Sequence, residues 1–282
     1  MSHGSEARVP IRGRGPRRVV PTWGAGLPTL AAMRLRTHAL PAAALVLALA
    51  TGCAGDDGRR TAGDAVTEQE AALLAGLLHR NHTEGGADFV VTAPFGPGAV
   101  LTLIGEVDFR AGTGRAQAVT STDGADVVRT VFFTRDQLWF GDVPGAAESL
   151  ADSGATFLSR PVATGNGELP LVDVLVTVLL GLSADGDDVP AGFLDGGYSW
   201  QGRRSIDGRP TELFGLPGDR TVAVSSTEDV LVQFATPLPA ADGELEATTT
   251  LAEHGRRSLA LPDEALTAPV ADHPELAAAL GL

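Results

Sequence analysis

The sequence contains one cysteine, no lysine and few aromatic residues. In 282 residues there is a single Cys, every basic residue is an arginine, and aromatic side chains make up 5%. One cysteine excludes an intramolecular disulfide and a cysteine-rich zinc or iron–sulfur site. With 44% hydrophobic and 20% charged residues, the composition is that of a globular protein with one large domain or two small ones.

The N-terminal region also lacks an apolar run long enough to span a membrane, since a helix needs about 20 apolar residues for that. The run 39–50 is shorter; it follows Arg34 and Arg36 and ends in small residues before Cys53. A positive stretch, a short apolar run and small residues are the layout of a secretory signal. We therefore predict a lipoprotein signal peptide at residues 33–52.

The single cysteine, Cys53, stands directly after this run, in the order Ala-Thr-Gly-Cys. This ending resembles a bacterial lipobox, and the resemblance implies that the cysteine is acylated, for example with palmitate, and becomes the new N terminus. Two acyl chains anchor a protein stably, because each buried methylene contributes about 0.8 kcal/mol. The prediction is a protein anchored to the cell membrane through Cys53, on the extracytoplasmic face. The alternative is a free or buried structural cysteine.

Residues 1–32 precede this signal and show no hydrophobic periodicity. A basic nucleic-acid-binding arm and a twin-arginine export signal at Arg17 and Arg18 are alternatives, but we expect an upstream extension from a misassigned start codon. Residues 1–52 hold seven Arg and one Glu, so their removal changes the formal net charge from −14 to −20. A surface this acidic repels phosphate backbones, so we expect no nucleic-acid partner.

The chain after the signal peptide is predicted to have two parts. Residues 53–66 form a flexible tether that includes the lipidated cysteine, and residues 67–282 form a single domain. Thr67 and Glu70 have the spacing of a capping box, and four leucines follow at helical spacing. This pattern predicts that the domain begins with a short amphipathic helix that runs to about His79.

A period of two replaces the helical period after this helix. Alternating apolar and polar residues predict half-buried strands, and short turns such as Asp207-Gly208 predict hairpins. Strands this closely spaced leave no room for helical crossovers, so the sheet is predicted to be antiparallel and, at roughly ten strands, wide enough to curl. The predicted strands are 99–109, 115–122, 126–134, 137–140, 198–206, 209–216, 221–225, 230–235, 244–252 and 258–261.

Three segments depart from this alternation. Residues 141–170 collect Gly, Pro, Ser and Asp, which predicts a long irregular connection. Residues 171–182 are apolar nearly all round, and periodicity alone does not distinguish a buried helix from a buried strand there. Their length and Pro170 favour a helix, whereas the β-branched content favours a strand. Residues 274–280 are predicted to form a terminal helical turn.

Three short motifs lie on the predicted strands and hairpins: Ile104–Phe109, Phe133–Trp139 and Ile206–Thr211. They resemble the early strand, the aromatic-ending strand and the Asp-Gly hairpin of the LolA/LppX (LprG-type) envelope lipoproteins. The resemblance implies a mainly β, α+β fold, in which a curved antiparallel half-barrel sheet carries apolar helices on its concave face. It also implies a lipid or lipopeptide ligand in an apolar cavity.

The resulting hypothesis is a lipoprotein that binds or carries a lipid or other amphiphile, with no enzymatic activity and no cofactor. The alternative is an envelope protein-binding or sensor module with a solid core, no ligand and an envelope protein as partner. His79 and His82 lack the further ligands that a metal site needs, and no Gly-x-Ser-x-Gly elbow occurs. The candidate cavity-lining residues, all apolar, are Leu74, Leu78, Leu103, Val107, Val131, Phe133, Trp139, Leu175, Leu179 and Trp200.

Overall fold

The computed structural model describes residues 60–165, 169–240 and 243–280. The extension 1–32, the signal peptide 33–52 and Cys53 lie outside the described residues, so the assignments made for them stay predictions. Within the described part of the chain, no helix has the length and apolar character needed to cross a membrane.

The described residues form one large, curved and unclosed sheet of 13 strands, flanked by short helices. The strands are β1 (Asp64–Ala65), β2 (Gly86–Gly96), β3 (Ala99–Asp108), β4 (Thr113–Thr122), β5 (Ala125–Thr134), β6 (Gln137–Gly141), β7 (Phe157–Pro161), β8 (Ser199–Ile206), β9 (Arg209–Leu216), β10 (Arg220–Ser225), β11 (Leu231–Ala240), β12 (Gly243–Ala252) and β13 (Thr267–Pro269). Every described pair is antiparallel except β7 with β13.

The strand order is β1-β8-β9-β10-β11-β12-β2-β3-β4-β5-β6-β7-β13. Two antiparallel meanders, β2 to β7 and β8 to β12, join side by side where β12 pairs with β2. The predicted fold class, a mainly β half-barrel sheet with a few helices, is confirmed. The sheet is wider than predicted because β1, β2, β7 and β13 add to the nine predicted strands that are present.

The helices are α1 (Glu68–Ala75), α2 (Leu77–Glu84), α3 (Ala146–Ser149) and α4 (Leu171–Leu180). The capping box at the start of α1 is present: the Thr67 backbone N–H donates to Oε2 of Glu70 at 2.8 Å, and the Thr67 side chain accepts from the Glu70 backbone. The predicted single helix is divided at Gly76. Its second part, α2, ends at Gly85, whose φ of 104° is a left-handed conformation that favours glycine.

The apolar segment after Pro170 is a helix, α4, and not a buried strand. Six of its ten residues are buried and Thr177 is exposed, so the helix has a buried face and satisfies its backbone groups internally. Proline is tolerated at this position because the first N–H groups of a helix have no intrahelical partner. Asp173 lies in the first turn, where a carboxylate is favourable.

Two predictions made for the weakly patterned segments are wrong. The connection 141–170 contains α3 and β7, which are short and carry too few alternating residues for the pattern to show. The predicted strand 258–261 has no regular structure, and the edge strand β13 lies later, at Thr267–Pro269, where it pairs in parallel with β7. An edge strand of three residues has one neighbour and gives little periodic signal.

The core lies between the concave face of the sheet and the helices. Leu103 and Phe133 from the sheet and Leu175 and Leu179 from α4 are 0% exposed and belong to one hydrophobic cluster. Each such side chain contributes about 1.5–3 kcal/mol through burial. Gly114 lies under Phe133, where a Cβ atom would stand 2.0 Å from the ring. The ring therefore closes over the strand only because that position has no side chain.

Candidate functional site: a cavity on the concave face

A cavity of about 560 Å³ lies between the concave face of the sheet and the first turn of α4. Its size falls within the range of roughly 300–1,000 Å³ that is typical of ligand pockets. The lining is mostly apolar, which suits a hydrocarbon chain. The described lining residues are Phe95, Leu101, Ala118, Thr120, Arg129, Val131, Phe140, Leu169, Pro170, Leu171, Val172 and Leu280.

Strand alternation directs these side chains into the cavity. Leu103, Ala118 and Arg129 are direct partners across β3, β4 and β5, so all three lie on the concave face. The small Ala118 leaves space above β4 that a larger side chain would fill. Phe95 is 44% exposed at the border of the cavity, so the cavity communicates with solvent there.

A buried ion pair fixes α4 beside the cavity. Asp173, 0% exposed, accepts from Nη1 and Nη2 of Arg160 at 2.7 and 2.5 Å and from the Ala163 backbone N–H at 2.6 Å. The guanidinium carbon of Arg160 also lies 5.4 Å from the centre of the Phe140 ring. Strand β7 and the first turn of α4 are thereby held together, and that turn forms one wall of the cavity.

Arg129 is the one charged side chain among the described residues that line the cavity. Its Nη2 donates to Oγ1 of Thr120 at 2.5 Å, and its Nη1 donates to the carbonyl oxygen of Ala279. Burial lowers the pKa of the Arg129 guanidinium, because desolvation disfavours its charged form. The cavity thus combines an apolar lining with one desolvated cation.

The sequence-predicted lining residues divide into three groups. Val131 lines the cavity. Trp139 faces the opposite side of the sheet, paired with Phe132, while Leu78 is half-buried and Trp200 packs at the edge of the core under Arg60. The structure places the other six in the solid core, and these are Leu74, Leu103, Val107, Phe133, Leu175 and Leu179.

Sequence reasoning missed Arg129, although the sequence carries a signal for it. Along β5, Val127, Arg129, Val131 and Phe133 share one face by period-two alternation. An arginine within an apolar stripe is a charge on the face that the alternation assigns to the core. A charge at such a position is uncommon unless it is paired or functional.

The outer face of the sheet carries a second concavity, of about 730 Å³. Val90 and Ile104 are direct cross-strand partners there and are 41% and 50% exposed. An ion pair of Glu106 with Arg115, at 2.6 Å, borders these two side chains. This surface is a small apolar patch with a charged border.

The two histidines of α2 form no metal site with the described residues. His79 and His82 stack with ring centroids 6.4 Å apart, and Nδ1 of His79 lies 3.3 Å from the Ala184 carbonyl oxygen. Nδ1 of His82 lies 3.6 Å from Oδ1 of Asp185, which is 98% exposed. In the described ranges, no three His, Cys, Asp or Glu residues come together in a way that could hold a metal ion.

The partly buried ring of His254 predicts a pH dependence of stability. Burial, together with the charge of Arg209, lowers the pKa of His254 from its ordinary value of 6.5, and its Nε2 has no described hydrogen-bond partner. Below pH 6.5 the unfolded chain therefore binds a proton that the folded chain does not, so the free energy of unfolding falls as the pH falls. His254→Asn is expected to flatten this slope, which thermal unfolding from about pH 7.5 to about pH 5 measures. Equal slopes in the parent and the variant contradict the prediction.

Comparisons with known proteins assign no family to this chain. No family model matches the sequence, and no curated protein matches it. Among solved structures, the chain is similar to an uncharacterized conserved protein from Thermus thermophilus, with 10% sequence identity and a TM-score of 0.36. That alignment covers 71% of this chain and 98% of the other.

Proposed function

We propose that this protein is a lipid-anchored, extracytoplasmic lipoprotein that binds an amphiphile in the cavity on the concave face. The observation that carries the proposal is the cavity itself, of about 560 Å³, with apolar walls from the sheet and from α4. A binding role, without a chemical step, is part of the proposal. Anchoring through Cys53 would hold the cavity near the membrane, where amphiphiles are concentrated.

The composition of the walls supports an acyl chain over a polar ligand. Leu101, Val131 and Phe140 face the cavity and are at most 7% exposed in the folded chain. A hydrocarbon chain placed against them is removed from water, which contributes roughly 25 cal/mol for each Å² of apolar surface buried. A polar ligand would gain little there, since Thr120 and Arg129 are the polar side chains among the described lining residues.

The direct test is the displacement of a fluorescent acyl-chain dye from the purified chain carrying Cys53→Ser. This variant has no acyl chain of its own that could enter the cavity. The proposal predicts saturable dye binding and displacement by long-chain lipids, with weaker displacement as the chain is shortened. Dye binding that does not saturate, or that no lipid displaces, overturns the proposal.

A second candidate function is protein binding through the outer face of the sheet, favoured by the exposed pair Val90 and Ile104. In this alternative, the protein is an envelope module that binds another protein through this face. Ile104→Arg would then abolish partner capture in envelope extracts and leave lipid binding unchanged. If I104R leaves the set of captured proteins unchanged, the outer face is not the binding surface.

A further inference from the structure

The charge on the described wall of the cavity is positive, although the chain as a whole is strongly acidic. The formal net charge is −14, yet Arg129 is the one charged side chain among the described residues lining the cavity. None of the carboxylate side chains that the structure describes lies within 4.0 Å of its guanidinium nitrogens. In contrast, Arg160, which lies beside the cavity, is paired with Asp173 through both of its terminal nitrogens.

The hydrogen bonds of Arg129 leave part of its donor capacity unused. A guanidinium has five N–H donors, and the two described bonds of Arg129 go to neutral oxygens, of Thr120 and Ala279. Among the described residues no opposite charge offsets its desolvation, and burial lowers its pKa. The side chain nevertheless stays charged at neutral pH. An anion beside it would supply the missing compensation.

The first turn of α4 lines the same cavity and favours the same sign of charge. Pro170, Leu171 and Val172 form part of the wall, and a helix N terminus carries a partial positive charge. The carboxylate of Asp173 in this turn is already neutralised by Arg160. Arg129 and this helix turn thus both suit an anion, while most of the other described wall residues suit a hydrocarbon.

From this arrangement we propose that the ligand is a single-chain anionic amphiphile whose oxyanion head binds Arg129 while its chain lies along Leu101, Val131 and Phe140. This inference rests on the proposed function, because it specifies the head group of the ligand in that same cavity. A carboxylate and a phosphate monoester share the required chemistry, since both accept paired hydrogen bonds from a guanidinium. A volume of about 560 Å³ fits one chain and one head group better than a lipid with several chains.

The test uses the full chain carrying Cys53→Ser and compares sixteen-carbon probes that differ in the head group with anions that have no chain. Palmitate and hexadecyl phosphate carry the anion, hexadecanol has a neutral head, and acetate and inorganic phosphate have no chain. We expect the two anionic amphiphiles to displace the dye at least about tenfold more tightly than hexadecanol, because hydrogen bonds to charged groups are the stronger ones. Acetate and inorganic phosphate are expected not to displace it.

Arg129→Gln is expected to remove this tenfold preference and to leave the affinity for hexadecanol unchanged within about twofold. Retained hexadecanol binding also shows that the variant is folded. Arg115→Gln, which removes a positive charge from the opposite face of the same sheet, is expected to keep the preference. Equal affinities for palmitate and hexadecanol in the parent, or an unchanged preference in R129Q, overturn this inference and leave the proposed function standing. If no chain-bearing probe binds, the proposed function itself fails.

Discussion

Replacing Asp173 by alanine is expected to lower the free energy of unfolding by about 3–5 kcal/mol. The side chain is 0% exposed and receives both terminal nitrogens of Arg160. Its removal leaves the Arg160 guanidinium, 11% exposed, without a counter-charge, and leaves the Ala163 N–H without its acceptor. Urea denaturation of the parent and of D173A, followed by circular dichroism, measures the loss.

A double variant separates the cost of an orphaned charge from the value of the ion pair. In Arg160→Met with Asp173→Leu, no charge is left buried and both sites stay apolar. A buried pair replaced by apolar residues of similar size is often neutral. The double variant is therefore expected to recover most of the stability that D173A loses. If D173A loses less than about 1 kcal/mol, the pair does not fix α4 to β7 as described.

Replacing Ala118 by tryptophan is expected to abolish acyl-chain binding, with a loss of affinity well beyond tenfold. Ala118 is 3% exposed, lines the cavity and faces the first turn of α4 across it. A tryptophan side chain would occupy the space that the hydrocarbon needs. Dye displacement by palmitate, measured beside the thermal unfolding midpoint, checks the prediction and shows that the variant is folded.

The preceding residue on the same strand provides the matched control. Gln117 lies on the opposite face of β4, where it borders the outer concavity. Gln117→Trp adds the same side chain and is expected to leave palmitate binding unchanged. The opposite result, with loss of binding in Q117W and not in A118W, would place the lipid on the outer face and refute the assignment of the cavity.

The sheet could be predicted from the sequence because its strands alternate and its turns carry clear signals. The strands β3 to β6, β8 to β10 and β12 lie within two residues of their predicted bounds, β11 extends five residues further, and the Asp207-Gly208 hairpin is present. The predicted strands omit β2, although its burial alternates, and the shorter strands β1, β7 and β13. Strand β7 and the edge strand β13 are short, and their pairing joins residues about a hundred positions apart.

The cavity was harder to predict than the fold, because core and cavity walls have the same composition. Leu175 and Val131 are both buried and apolar, yet one fills the core and the other lines the cavity. The difference depends on the position of α4, which the ion pair of Asp173 with Arg160 and the packing of its apolar face both hold. Periodicity indicates which face of an element is apolar, whereas the space left between two faces depends on packing.

Mass spectrometry of lipids that co-purify with the Cys53→Ser chain tests the central claim most directly. The chain is purified from a bacterial host, extracted with organic solvent and compared with the same preparation of A118W. We predict a near-stoichiometric acyl-chain compound with an acidic head group in the parent extract and its loss in A118W. No bound lipid in the parent, or equal amounts in the two extracts, would contradict the assignment of the concave-face cavity as a lipid site.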